Sequence, residues 1–137
     1  MNNFADIQKL LKSDLKKTDK VLIKRLSSNV ALINQMSSYI INAGGKRLRP
    51  LLLLLCAKAT GYQGNHHHLM AVVIELIHTA TLLHDDIVDE SATRRGKDTA
   101  NEVWGNAASV LVGDFLYSRA FEMMVEPDSM RIMKILS

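Results

Sequence analysis

From His66 to about Glu90 the chain runs without a glycine or proline, and between Leu69 and Leu83 it is apolar nearly all round. A helix with no polar face has to be covered on every side, so other elements must wrap it. The rest of the sequence offers helices for that purpose. Apolar residues recur at helical spacing at Phe4, Ile7, Leu10, Leu11 and Leu15, which predicts a helix to about Lys17. Thr18 or Asp19 reads as a break and a new cap before a short helix over "KVLIKRLSS". A longer helix is predicted from about Asn29 to Ala43, stopped by Gly44-Gly45. Pro50 suits a first turn and opens the next, which runs to about Thr60 and stops at Gly61. After a loop, "SATRRGKDTAN", a helix is predicted from about Asn106 to Val125. Pro127 breaks it and Asp128 caps a last one. The fold class is all-α, a helical bundle.

Composition excludes several classes. Among 137 residues, 47% are hydrophobic, which supports a packed core and excludes disorder by composition. The net charge of +3 is too small to argue for nucleic acid, and no basic stripe alternates with aromatics. The single cysteine, Cys56, excludes an internal disulfide and reads as core. No apolar run approaches the roughly 20 residues that span a bilayer, and "MNNFADIQKL" is no signal peptide, so a cytoplasmic location is expected. The last helix is short and its apolar residues lack an evident surface to pack on. Residues 1–137 therefore read as one partial domain, the first part of a larger bundle.

The central helix ends in "LLHDDIVDESATRRG". Asp85 and Asp89 lie one turn apart on one face, with His78 two turns before Asp85 on nearly the same stripe. Asp86 is rotated by roughly a third of a turn. Two carboxylates so spaced offer the hard oxygen ligands that Mg²⁺ takes together with water and phosphate. Acids near a helix C-terminus oppose the macrodipole, a local cost that points to function. The histidines His66, His67 and His68 read as a solvated first turn. Arg94 and Arg95 follow the acids and precede Gly96. "GGKRLRP" at 44–50 is a second cluster of glycines and cations. Arginine forks match phosphate oxygens, lysine adds a point charge, and glycine lets an anion approach the backbone. Two cationic clusters and one acid pair suggest two diphosphates, one held through Mg²⁺ and one directly.

The ordered set "GGKRLRP", "LIHTATLLHDDIVDESATRRG" and "GNAASVLVGDFLYSRAF" resembles the N-terminal part of the trans-isoprenyl diphosphate synthases, nearest to the long-chain bacterial branch that makes octaprenyl diphosphate. The resemblance implies a helical bundle, normally a homodimer, that condenses isopentenyl diphosphate with an allylic diphosphate. It implies that Lys46, Arg49, His78 and Arg95 bind isopentenyl diphosphate and that Arg94 contacts the allylic diphosphate. Asp85 and Asp89 would hold Mg²⁺, with Asp86 in the same catalytic motif. Ala80 and Thr81, small residues about a turn before Asp85, would leave the path of a growing chain open and give a long product. Trp104, Phe115, Tyr117 and Phe121 read as core or dimer contact, and Asp114 as a buried partner for a cation. The family carries a second aspartate-rich motif that has no counterpart in this sequence. The 137 residues alone are therefore expected to have little activity. The alternative is a non-catalytic helical subunit that binds and modulates a complete synthase.

Overall fold

The computed structural model describes residues 4–42 and 45–137, so the expected stop at Gly44 and the last residue of the Asn29–Ala43 helix lie outside the described residues. The described residues form eight helices and one small hairpin: α1 Phe4–Leu10, α2 Lys12–Leu26, α3 Ala31–Asn42, α4 Leu48–Ala59, α5 His67–Val88, β1 Thr93–Arg94, β2 Lys97–Asp98, α6 Ala100–Trp104, α7 Asn106–Val125 and α8 Met130–Leu136. The all-α class expected from the sequence is what the chain adopts.

The uninterrupted apolar stretch is the central helix. Leu69, Met70, Ala71, Val72, Val73, Leu76, Ala80 and Leu83 of α5 are all buried. α7 packs along one side of it, and α4 and α2 along others. Val112, Leu116, Ala120, Met123 and Met124 of α7 join Leu22, Leu26 and Met36 in the main core, and Leu11, Leu51, Leu54 and Ala71 form a smaller second one. Trp104, Phe115 and Phe121 pack against the main core, as expected, while Tyr117 is exposed.

Several local expectations are corrected. No break occurs at Thr18 or Asp19, because α2 runs through both. Thr18 is buried and its hydroxyl donates to the Asp14 carbonyl at 2.9 Å, so its polar group is satisfied inside the helix. The interruption falls instead at Leu11, a fully buried residue between α1 and α2. Pro50 is the third residue of α4, still within the first turn that tolerates it. Cys56 is exposed, not core. Only Pro50, Leu51 and Leu54 of α4 are buried, so the leucine run has one covered face and leaves Leu52 open.

The end of α5 sets up the site. The Ser91 amide donates to the Asp86 carbonyl at 2.8 Å and the Glu90 amide to Ile87 at 3.2 Å, a Schellman closure with Glu90 at φ 51° where glycine is usual. The chain then turns back through the hairpin. Thr93 pairs with Asp98 and Arg94 with Lys97, leaving Arg95 and Gly96 as a two-residue turn with φ of 53° and 76°. Positive φ at both positions is the mark of a type I′ turn, which matches strand twist.

Truncating α5's core contact with Leu76→Ala should cost about 3 kcal/mol, the usual penalty for a cavity left by leucine. The exposed Ile23→Ala should cost less than about 0.5 kcal/mol. Urea denaturation followed by circular dichroism measures both.

Candidate functional site

Residues from several elements meet around one cavity of about 570 Å³. The loop before α4 supplies Lys46 and Arg47, and α4's first turn supplies Arg49. α5 supplies Glu75, His78, Thr79, Leu82 and Asp86, and the hairpin supplies Arg94, Arg95 and Lys97. Leu22, Leu26, Leu76, Leu83 and Leu116 line its apolar part. Six cations face the cavity against three acids, Glu75, Asp86 and Asp98. A concave site with that imbalance concentrates anions.

Of the residues expected at the site, Lys46, Arg49, His78, Arg94, Arg95 and Asp86 line this cavity. Asp85 and Asp89 do not. They stand exposed at the end of α5, one closed turn apart, with the Asp89 amide donating to the Asp85 carbonyl at 2.8 Å. Among the described residues neither carboxylate makes an ion pair or side-chain hydrogen bond. Both still act electrostatically on Arg94. A pair of open carboxylates beside a cationic cavity fits a hard divalent cation that keeps water and shares phosphate oxygens. Ala80 is fully buried in the core, and Thr81 is exposed with its hydroxyl donating to the His78 carbonyl at 2.8 Å. Neither lines the cavity.

Asp86 behaves differently from its neighbours. Its side chain is 6% exposed and accepts from Arg94 through two nitrogens, Nη2 at 2.6 Å and Nε at 3.0 Å. The carboxylate at its side holds the Arg94 guanidinium above its ordinary pKa. The pair ties the hairpin to α5. Thr99 reinforces it, donating from Oγ1 to Ser91 at 2.7 Å, and Tyr39 of α3 donates to the Asp98 carbonyl at 2.9 Å.

Two of the lining arginines, Arg47 and Arg95, hold left-handed backbone. For a side chain with a Cβ this costs roughly 1–2 kcal/mol, and such strain concentrates at sites. Arg47 is held by an ion pair with Asp19 of α2. Arg95 lies so close to Gly45 that a Cβ there would collide with its Nη1. A side chain at residue 45 would therefore push the tip of the Arg95 guanidinium aside.

Sequence reasoning missed Arg47 and Glu75. Glu75 is the lone acid within α5's apolar stretch, and that isolation was its signal, since burying an unpaired carboxylate is costly. Burial pushes its pKa up, against the opposing pull of Arg47, Arg49 and Arg95. His78 is held below its ordinary pKa, first by burial and then by Arg49, Arg95 and Arg94, with Asp85 opposing. Asp114, expected as a buried partner, is exposed and sits 3.5 Å from His84 Nε2.

The model of the family described as polyprenyl synthetase matches residues 30–137. The chain is 52% identical over 135 residues to octaprenyl diphosphate synthase of Escherichia coli K12, covering 98% of this chain and 42% of that protein. Its backbone superposes on a decaprenyl diphosphate synthase from Rhodobacter capsulatus with TM-score 0.91 at 46% identity, covering 96% of this chain and 41% of that one. It matches equally, at TM-score 0.91 and 48% identity, a polyprenyl synthase from Caulobacter crescentus CB15 complexed with calcium and isoprenyl diphosphate, covering 95% of this chain and 40% of that one. The chain spans about two-fifths of the length of the relatives it matches.

Because His78 is held neutral by burial and three guanidiniums, its imidazole should titrate below the ordinary histidine range. The neutral form is favoured in the fold, so this group's share of stability is present above about pH 6.5, the unfolded value, and is lost as pH falls below it. Arg49→Gln should move the His78 titration upward. Carbon-detected NMR of the ring checks both.

Proposed function

The chain belongs to the polyprenyl synthetase family, and from that premise we propose that it forms the isopentenyl-binding wall of a prenyltransferase that extends an allylic diphosphate into a long all-trans polyprenyl diphosphate. The carrying observation is the gathering of Lys46, Arg49, His78 and Arg95 around one cavity, with Asp85 and Asp89 open beside it.

In this reading Lys46, Arg49 and Arg95 grip the diphosphate of isopentenyl diphosphate, the arginines by paired hydrogen bonds. His78, neutral in the free site, donates a ring N–H to a phosphate oxygen. The leucine-lined part of the cavity receives the hydrocarbon and keeps water from the reacting carbons. Asp85 and Asp89 would hold Mg²⁺, which supplies charge neutralisation for the departing allylic diphosphate. Arg94, fixed by Asp86, adds positive charge on the same side. The allylic carbon–oxygen bond breaks, the isopentenyl double bond attacks the allylic cation, and a proton leaves to give the product double bond. Diphosphate is released.

A long product is supported by the likeness to an octaprenyl and a decaprenyl diphosphate synthase, and octaprenyl is our choice between them. The small side chains at Ala80 and Thr81 are assigned to keeping elongation open on the likeness to the family alone, since neither lines the cavity. The exposed apolar residues Leu111, Tyr117 and Val125 of α7 support a homodimer. The 137 residues supply one wall of the site and should show little condensation alone.

Incubation with labelled isopentenyl diphosphate, farnesyl diphosphate and Mg²⁺, with and without the remaining part of a full-length relative, tests the proposal. Long labelled polyprenol only in the mixture is the expected result. Asp85→Asn or Asp89→Asn should then lower the rate on the order of a hundredfold. Tight binding to an intact synthase with no product in any mixture would support the modulating subunit instead. Thr81→Tyr should shorten the product, read by chromatography of the dephosphorylated polyprenols.

A further inference from the structure

The first turn of α5 carries a second group of ligand-type side chains, at the opposite end of the helix from Asp85 and Asp89. One ring nitrogen each of His67 and His68 and a carboxylate oxygen of Asp14, on α2, all lie within 4.8 Å of one another. His68 Nε2 stands 3.0 Å from Asp14 Oδ1. The two imidazoles lie side by side, ring centroids 3.9 Å apart, and Tyr62 packs edge-on against His67 at 5.6 Å. These histidines are half-buried and partnered, not the solvated turn expected from the sequence. His67 Nδ1 is buried and has no hydrogen-bond partner among the described residues. The Gly64 backbone acts on the His67 ring, but that buried nitrogen is itself left without a partner, and an orphaned buried nitrogen beside two ligand-type groups is open to a ligand.

We propose that Asp14, His67 and His68 bind one divalent transition-metal cation of the imidazole-preferring kind, typified by zinc, and that this ion staples α2 to α5. The donor set decides the class. Two imidazole nitrogens and one carboxylate suit zinc, cobalt or nickel, whereas magnesium takes oxygen ligands and is the ion assigned to Asp85 and Asp89. Three protein ligands leave at least one position for water. The ligands also come from positions far apart in sequence, Asp14 and His68 being 54 positions apart, so the ion would close a long loop. An ion that binds the folded chain and not the unfolded one adds its binding free energy to stability. Lys17 and Lys58 both act electrostatically on Asp14 and weaken the site relative to one without nearby cations. The proposal does not depend on the prenyltransferase reading, since none of these residues lines the diphosphate cavity.

The test uses the purified protein stripped of metal. Zinc titrated by calorimetry should bind with a stoichiometry of one and raise the melting temperature, while magnesium at the same concentration should do neither. Cobalt should give the visible absorption of a low-symmetry site. Asp14→Asn preserves shape and a hydrogen bond to His68, so the variant folds, as helical circular dichroism will report. It and His68→Ala should each weaken zinc by about tenfold or more. His66→Ala should change nothing. Equal zinc affinity in Asp14→Asn and the parent, or loss of binding in His66→Ala, would overturn the proposal and reduce the signal to adventitious capture by a histidine run.

Discussion

The pairing of Asp86 with Arg94 is the interaction on which the site depends. Three aspartates sit within five residues at the end of α5, and like charges so close repel. Turning Asp86 inward onto a guanidinium removes one of them from that conflict. Asp85 and Asp89 are left outside, a turn apart and open. A buried carboxylate is tolerable only while its cation stays, and removing one partner of such a pair costs about 3–5 kcal/mol when burial is complete. Arg94 is partly exposed, so its loss should sit at or below the lower end of that range. One ion pair thus orders the metal-type carboxylates and fixes the hairpin whose turn carries Arg95.

The cationic side of the cavity is assembled against strain and repulsion. Arg47 and Arg95 occupy left-handed backbone. Arg49 and Arg95 both depress the pKa of His78. Glu75, half-buried within reach of Arg47, Arg49 and Arg95, offsets part of this charge. An anion with two phosphates would relieve what remains. The excess of cations over acids around the cavity, more than any single contact, supports the proposed diphosphate reading.

Much of this was legible in the sequence because the signals were local and strong. The breaker-free apolar run had to be a buried helix, and Asn106–Val125 appears with the bounds its pattern predicted. Gly61 ends α4 with φ 67° as a helix-stopping glycine should. Lys46, Arg49, His78 and Arg95, the residues singled out by the likeness to the family, line one cavity. What failed depended on neighbours that periodicity does not see. Thr18 looked like a cap but satisfies its hydroxyl within α2. The hairpin and α6 were read as loop, because strands of two residues and a helix of five carry no periodic signature. Asp86 could not be told from Asp85 without knowing that Arg94 folds back onto it. Cys56 looked buried because a leucine run does not say which face is covered.

The most direct measurement is a double-mutant cycle on isopentenyl diphosphate affinity, using Asp86→Asn, Arg94→Gln and the pair, each checked for intact helical structure. Neither residue is assigned a contact with that ligand, so an effect has to pass through the hairpin that carries Arg95 or through the field Arg94 exerts on His78. The account predicts that each single change weakens binding and that the double change is no worse than either, a coupling above about 1 kcal/mol. Additive losses, or affinity untouched by Asp86→Asn, would contradict it.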